Sequence, residues 1–107
     1  MARKNEPRNE IRDHKRSGHP AYIYEKVGDE YKFLGITHAP ITRNMKNIPL
    51  EQNPNPQDKR PAYIKPKSEQ DKKSQFGSRK KGWRLSKNDR ATAKKITDKN
   101  DRKKKRK

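Results

Sequence analysis

Apolar positions are bunched along this chain, and the longest bunch runs over residues 19–37, HPAYIYEKVGDEYKFLGIT. Two β-prone arms, residues 21–27 and 31–37, flank Gly28-Asp29, which is the turn signature of a β-hairpin. A two-residue loop sets Tyr24 beside Phe33, Pro20 beside Thr37 and His19 beside His38. A loop one residue longer sets Ile23 against Gly35, and the pattern leaves both registers open. Tyr22, Tyr24, Tyr31 and Phe33 then gather on a small sheet, either as cross-strand packing or as a platform for stacked bases.

Beyond the hairpin the apolar signal shortens. His38-Ala39-Pro40 ends the second arm, because proline cannot donate to a ladder. Residues 41–46 read as a polar loop, 47–50 (NIPL) as a short edge strand, and 62–65 (AYIK) as another that stops at Pro66. Between them EQNPNPQDKRP contains two Asn-Pro steps, which disfavour helix at the preceding residues. Short strands joined by turn-rich loops predict a mainly β chain closed into a small barrel. Residues 67–82 are polar, with Phe76 the one large apolar side chain, and read as a linker or polar loop. Ser86 is a good N-cap and Asp89 lies three residues on, so a C-terminal helix is predicted over 87–96, anchored by Trp83 and Leu85. Residues 1–16 mix charge with Asn around Ile11 and predict a disordered basic arm. Residues 98–107, ending RKKKRK, predict a disordered basic tail. The folded unit is thus expected over 17–97, with Ile23, Phe33, Leu34, Ile36, Ile41 and Ile64 among its core.

Composition sharpens this outline. Only 24% of the 107 residues are hydrophobic and 41% are charged, so a core is built from part of the chain. With no cysteine there is no disulfide and no cysteine-based zinc site, and a dimer or a bound polyanion is expected to add stability. That composition fits a reducing cytoplasm. Residues 1–16 carry a net +3, residues 17–66 a net +2 and residues 67–107 a net +13 of the total +18. A nearly balanced β-rich part with a strongly basic extension points to nucleic acid, with RNA favoured, or to the ribosome. No apolar run reaches membrane-spanning length and no apolar signal region opens the chain, so no membrane partner is expected.

Candidate chemistry is sparse. His14, His19 and His38 lack metal-ligand spacing, no glycine-rich phosphate loop is present, and neither a metal nor another cofactor is expected. Paired carboxylates and a GxSxG motif are absent as well. His19 and Thr37 are one candidate pair, since histidine exchanges protons near neutral pH and a threonine hydroxyl can hold a phosphate. Their spacing is equally that of a strand-end pair bonded to backbone or water. Arg79, Lys80, Lys81 and Arg84 surround Trp83, a pattern suited to phosphate attraction with base stacking, or to a core anchor among solvated charges.

In order along the chain, Gly18-His19-Pro20 opens the first long strand and Gly35-Ile36-Thr37 closes the second. Ile48-Pro49-Leu50, a polar loop, Ala62-Tyr63-Ile64, and Leu85-Ser86 leading a final helix follow. Over residues 18–97 this order resembles the MazF/PemK-like toxin superfamily of SH3-like barrels that cleave single-stranded RNA. In that family the first strand opens with Arg-Pro, and the arginine works with a Thr or Ser at the end of the next strand. Thr37 matches the latter, whereas His19 stands where the family has arginine. The resemblance implies an SH3-like barrel, a metal-independent endoribonuclease, a homodimer and an acidic antitoxin partner of a toxin-antitoxin pair. His19 and Thr37 would then be catalytic, with Arg43, Lys59 or Arg60 offsetting charge that develops on the phosphate. Two other readings stand beside it: a non-catalytic nucleic-acid-binding protein of a phage or mobile element, and a ribosome-associated protein.

Overall fold

A computed structural model describes the backbone of residues 5–105 and the side chains of residues 9–100. Among the described residues the order is β1 (Asn5–His14), β2 (His19–Val27), β3 (Glu30–Thr37), β4 (Ile41–Thr42), β5 (Met45–Lys46), β6 (Ile48–Pro49) and β7 (Tyr63–Ile64). Then come β8 (Glu69–Lys72), the 3-10 turn η1 (Lys73–Gln75), β9 (Phe76–Arg79) and the helix α1 (Lys87–Lys105). The fold is mainly β with one C-terminal helix. Its antiparallel sheet runs β6-β7-β3-β2-β1-β9, and β8 also pairs with β3. The outer edge of β3 is shared: Glu30 to Phe33 face β8, while Ile36 and Thr37 face β7. Because η1 joins β8 directly to β9, one short turn links the far edge of β3 to the far edge of β1.

The hairpin forms as expected around Gly28, whose φ of +60° suits the first central position of a type II′ turn. Val27 faces Glu30 across it, so the loop has two residues. Between Ile23 and Glu25 a bulge shifts the register by one, and beyond it Ile23 faces Phe33 and Ala21 faces Gly35. Neither simple register is therefore followed throughout. The bulge also splits the expected aromatic cluster. Tyr22 packs with Ile11, Leu34, Ile64 and the α1 residues Ala93 and Ile96. Tyr31 and Phe33 pack with Ala21, Ile23 and Phe76. The sheet is thus buried on both faces, with the helix over one and the β8-η1-β9 segment over the other.

Four sequence expectations are corrected. The arm expected over 1–16 contains β1, held between β2 and β9, and Ile11 is fully buried. A strand flanked on both sides satisfies its backbone groups through the ladder, so one apolar side chain is enough to seat it. Its polar neighbours are bonded at the edge, as where Arg12 Nη1 donates to the Gly77 carbonyl at 2.8 Å. Residues 1–4 lie outside the described residues. The linker expected over 67–82 holds β8, η1 and β9, pinned by buried Phe76. The tail expected over 98–107 continues α1 to Lys105, and residues 106–107 lie outside the described residues. Polar docking extends the helix: Asn100 donates to the Pro66 carbonyl at 3.3 Å and accepts from the Ser68 amide at 3.1 Å. Lys and Arg are also good helix formers. Ser86 caps the helix, accepting from the Asp89 amide at 3.1 Å. The Asp89 carboxylate, however, turns to the Glu51 and Gln52 amides at 2.7 and 3.1 Å and ties the helix to the loop before β7. Ile41, expected in the core, is 58% exposed on the small β4-β5 hairpin. Among the described residues no helix is long and apolar enough to cross a membrane.

One polar knot joins the strand ends. Buried His14 lies between Phe33 and Phe76, with ring centroids 4.6 and 5.0 Å away. Its Nε2 is 2.8 Å from Asp71 and its Nδ1 2.9 Å from the Ser17 hydroxyl. Hydrogen bonds from Arg16 first, and from His14 second, hold the Asp71 carboxyl well below the usual aspartate range. A carboxylate with a lowered folded pKa contributes stability above its unfolded value, about 3.9, and that contribution fades as pH falls toward the folded value. Asp71→Asn is therefore expected to lower stability at neutral pH by roughly 1.5–3 kcal/mol, the worth of hydrogen bonds to a charged group. Below about pH 4 the deficit should shrink. Urea melts at neutral and acid pH check this; a deficit that does not change with pH would contradict it.

Candidate nucleic-acid interface

At the start of β2 and the end of β3 the chain builds a cleft of about 230 Å³. His19 opens β2, Thr37 closes β3, and continuing the Ala21↔Gly35 register two residues brings them level across the ladder. Both line the cleft. Thr37 is mostly buried, and its Oγ1 accepts the Ala39 amide at 3.2 Å, which leaves its own proton free to be donated inward. His19 is exposed, with its backbone amide bonded to the Ser17 hydroxyl at 3.3 Å.

The facing wall is the loop over residues 51–62, and its sequence explains its order. Asn53, Asn55 and Asp58 each accept, through a side-chain oxygen, the amide two residues on, at 2.9, 3.0 and 3.0 Å. These successive Asx turns give the Asn-Pro steps a fixed shape. Asn53 Nδ2 closes the loop onto the Arg60 carbonyl at 3.1 Å. Arg60 forks onto Asp58, Nε to Oδ1 at 3.0 Å and Nη2 to Oδ2 at 2.8 Å. Those Arg60 hydrogen bonds hold the Asp58 carboxyl far below the ordinary range, so it is a fixed anion that orients the guanidinium. His38 completes the wall. Its Nδ1 lies 2.9 Å from the Pro61 carbonyl, which can only accept, so Nδ1 carries the proton. Its Nε2 is 3.6 Å from an Asp58 carboxylate oxygen.

The cleft thus gathers His19, Thr37, His38, Arg60 and Trp83. Two of these contacts were not foreseen from sequence: His38 as a member of the site and Asp58 as the anchor of Arg60. The only local signals were the Thr37-His38 adjacency at a strand end and an Asp two residues before an Arg.

The other candidate residues are distributed around this cleft. Arg43 sits with Asn44 in a turn where both have positive φ, 49° and 66°, which presents its side chain at the tip of the β4-β5 hairpin. It lines a neighbouring cavity of about 720 Å³ with Lys65 and Lys67, and His19 stands between the two. Arg79 and Arg84 line a third cavity of about 260 Å³, which shares Trp83 with the cleft. Trp83 is partly buried against the core, and the Lys80 ammonium lies 4.8 Å from its ring centroid. Lys80 also pairs with Asp13 at 3.1 Å. Lys59 and Lys81 are exposed and line none of these three cavities. Among the described residues no group of three or more His, Cys, Asp or Glu side chains converges as metal ligands would.

Fold and cleft together define a small, mainly β protein with a groove at one end of its long hairpin, lined by His19, Thr37, His38, the Asp58–Arg60 pair and Trp83. Compared with protein-family models, curated proteins and solved structures, the chain matches none.

Proposed function

We propose that this is a small basic RNA-binding protein that cleaves single-stranded RNA without a metal ion, in the cleft of His19 and Thr37. One observation carries the reading: an imidazole from position 19, a hydroxyl from position 37 and a guanidinium from position 60 line the same cleft. Together they supply the groups that transfer through a ribose 2′-hydroxyl requires. His19 takes the 2′-hydroxyl proton as the 2′-oxygen attacks the adjacent phosphorus. The bond from phosphorus to the 5′-oxygen breaks, and that oxygen receives a proton from the protonated Nε2 of His38. Thr37 and Arg60 donate to the non-bridging oxygens while their charge grows. The products are a 2′,3′-cyclic phosphate and a 5′-hydroxyl end. The resemblance to MazF/PemK-like toxins supports the same site through Thr37 and the strand opening at His19. In this reading the SH3-like barrel works in the cytoplasm as a homodimer and is held in check by an acidic antitoxin.

A second reading, a non-catalytic nucleic-acid binder, is favoured by the Asp58–Arg60 pair, which offsets much of the cation that the cleft offers to a phosphate. Incubating the purified protein with mixed-sequence single-stranded RNA in EDTA, beside His19→Ala, separates the two. Discrete fragments from the parent alone support cleavage. A shifted but intact RNA band with both proteins overturns it in favour of binding.

A further inference from the structure

Arginine is unevenly partnered in this protein. Arg12 pairs with Glu10, Arg16 with Asp71 and Arg60 with Asp58. Arg79, Arg84 and Arg90 have no carboxylate partner among the described residues, and all three line the 260 Å³ cavity beside Trp83. They come from three places in the chain: the end of β9, the turn after it and the first turns of α1. Among the described residues no carboxylate lines that cavity. Gathering three guanidinium groups without a counter-charge costs Coulomb energy, which a bound anion removes. The planar fork of each group suits phosphate oxygens in particular. Arg90 also acts on the cavity wall: burial pushes the Tyr22 phenol up, and the positive charge of Arg90 opposes that shift. Lys80 differs from the three arginines, because Asp13 already neutralises it.

Trp83 decides what kind of phosphate ligand fits. Trp83 lines both this cavity and the His19 cleft, so a ligand occupying both must pass it. A single nucleic-acid strand does this naturally, with a base against the ring and its phosphates on the arginines. We propose that Arg79, Arg84 and Arg90 hold the backbone phosphates of the same RNA strand as it leaves the cleft, with Trp83 as the wall between the two sites. This rests on the RNA-binding reading given above.

Trp83 is the only tryptophan, so its fluorescence reports from that wall. The full chain is titrated with a single-stranded RNA oligonucleotide at several salt concentrations, by Trp83 fluorescence and by gel mobility. The parent is expected to show a saturable Trp83 change. Replacing Arg79, Arg84 and Arg90 with Ala should weaken binding at least about tenfold and lower the salt slope by about 2, at ~0.7 per single-strand phosphate contact. A charge-matched variant, Lys72→Ala with Lys94→Ala and Lys95→Ala, removes exposed lysines outside all three cavities and should keep the parent slope. Replacing the three arginines with Lys should preserve the slope and weaken binding less than Ala does, which reads the site even if the Ala variant folds poorly. RNA shifted on the gel with Trp83 silent and the slope unchanged in the arginine variant would overturn this inference alone. No RNA binding by either readout would overturn the RNA reading with it.

Discussion

Deleting residues 2–14 is expected to abolish cooperative folding, and Ile11→Ala alone should remove a large share of the stability. The deletion takes away β1, the strand that carries β9 on one side and pairs with β2 from Asn5↔Val27 to His14↔His19 on the other. It also removes His14 from the knot with Asp71 and Ser17. Ile11 is fully buried in the cluster with Tyr22, Leu34, Ile64 and Ile96. Truncating such an isoleucine costs about 2–5 kcal/mol, set against a total of about 5–15 kcal/mol for a small domain. Urea melts followed by Trp83 fluorescence should show the midpoint of Ile11→Ala falling by roughly 1–3 M. Ile41→Ala, at a position exposed on the β4-β5 hairpin, should change stability by no more than about 0.5 kcal/mol. A parent-like midpoint in Ile11→Ala would contradict the placement of β1 in the sheet.

The second large effect concerns rate. His19→Ala is expected to lower the RNA cleavage rate by about 10²–10⁴-fold, the usual worth of a positioned general base. The loss should fall on kcat and not on KM, because the proton moves only in the transition state. Thr37→Val should cost about 10²-fold in kcat by removing one donor to the phosphate. It should also lower stability by roughly 1 kcal/mol, because the Ala39 amide loses its acceptor. Equal rates in parent and His19→Ala would remove His19 from the chemistry.

How much of this was legible in the sequence follows from where the stabilising contacts lie. The hairpin could be read because its signal is local: alternating apolar residues around Gly28-Asp29. Its bulge could not, because it satisfies two cores at once, with Tyr22 on one face and Phe33 on the other. The bulge is also what brings His19 level with Thr37 in place of His38, so the candidate pair was visible while its geometry was not. β1, β8 and β9 were hidden for a different reason. Their side chains are largely polar, and they are strands because β1 pairs with β2, β8 with β3 and β9 with β1, with Ile11 anchoring β1 and Phe76 anchoring the β8-η1-β9 segment. The loop over 51–62 was recognised as a loop, yet its role as a wall depends on successive Asx turns and on Asp58 aligning Arg60. The basic residues around Trp83 were seen as a group. Only the fold separates Lys80, paired with Asp13, from Arg79 and Arg84, which face a shared cavity with the unforeseen Arg90.

The central claim is that the His19 cleft cleaves RNA through the ribose 2′-hydroxyl. Two oligonucleotides of one sequence, all-ribose and all-deoxyribose, are incubated in EDTA with the parent protein and with His19→Ala, and the ends of the fragments are determined. The account predicts cutting of the ribose strand alone, by the parent alone, leaving 2′,3′-cyclic phosphate and 5′-hydroxyl ends. Fragments from the deoxyribose strand, or a ribose strand bound but intact with the parent, would contradict it.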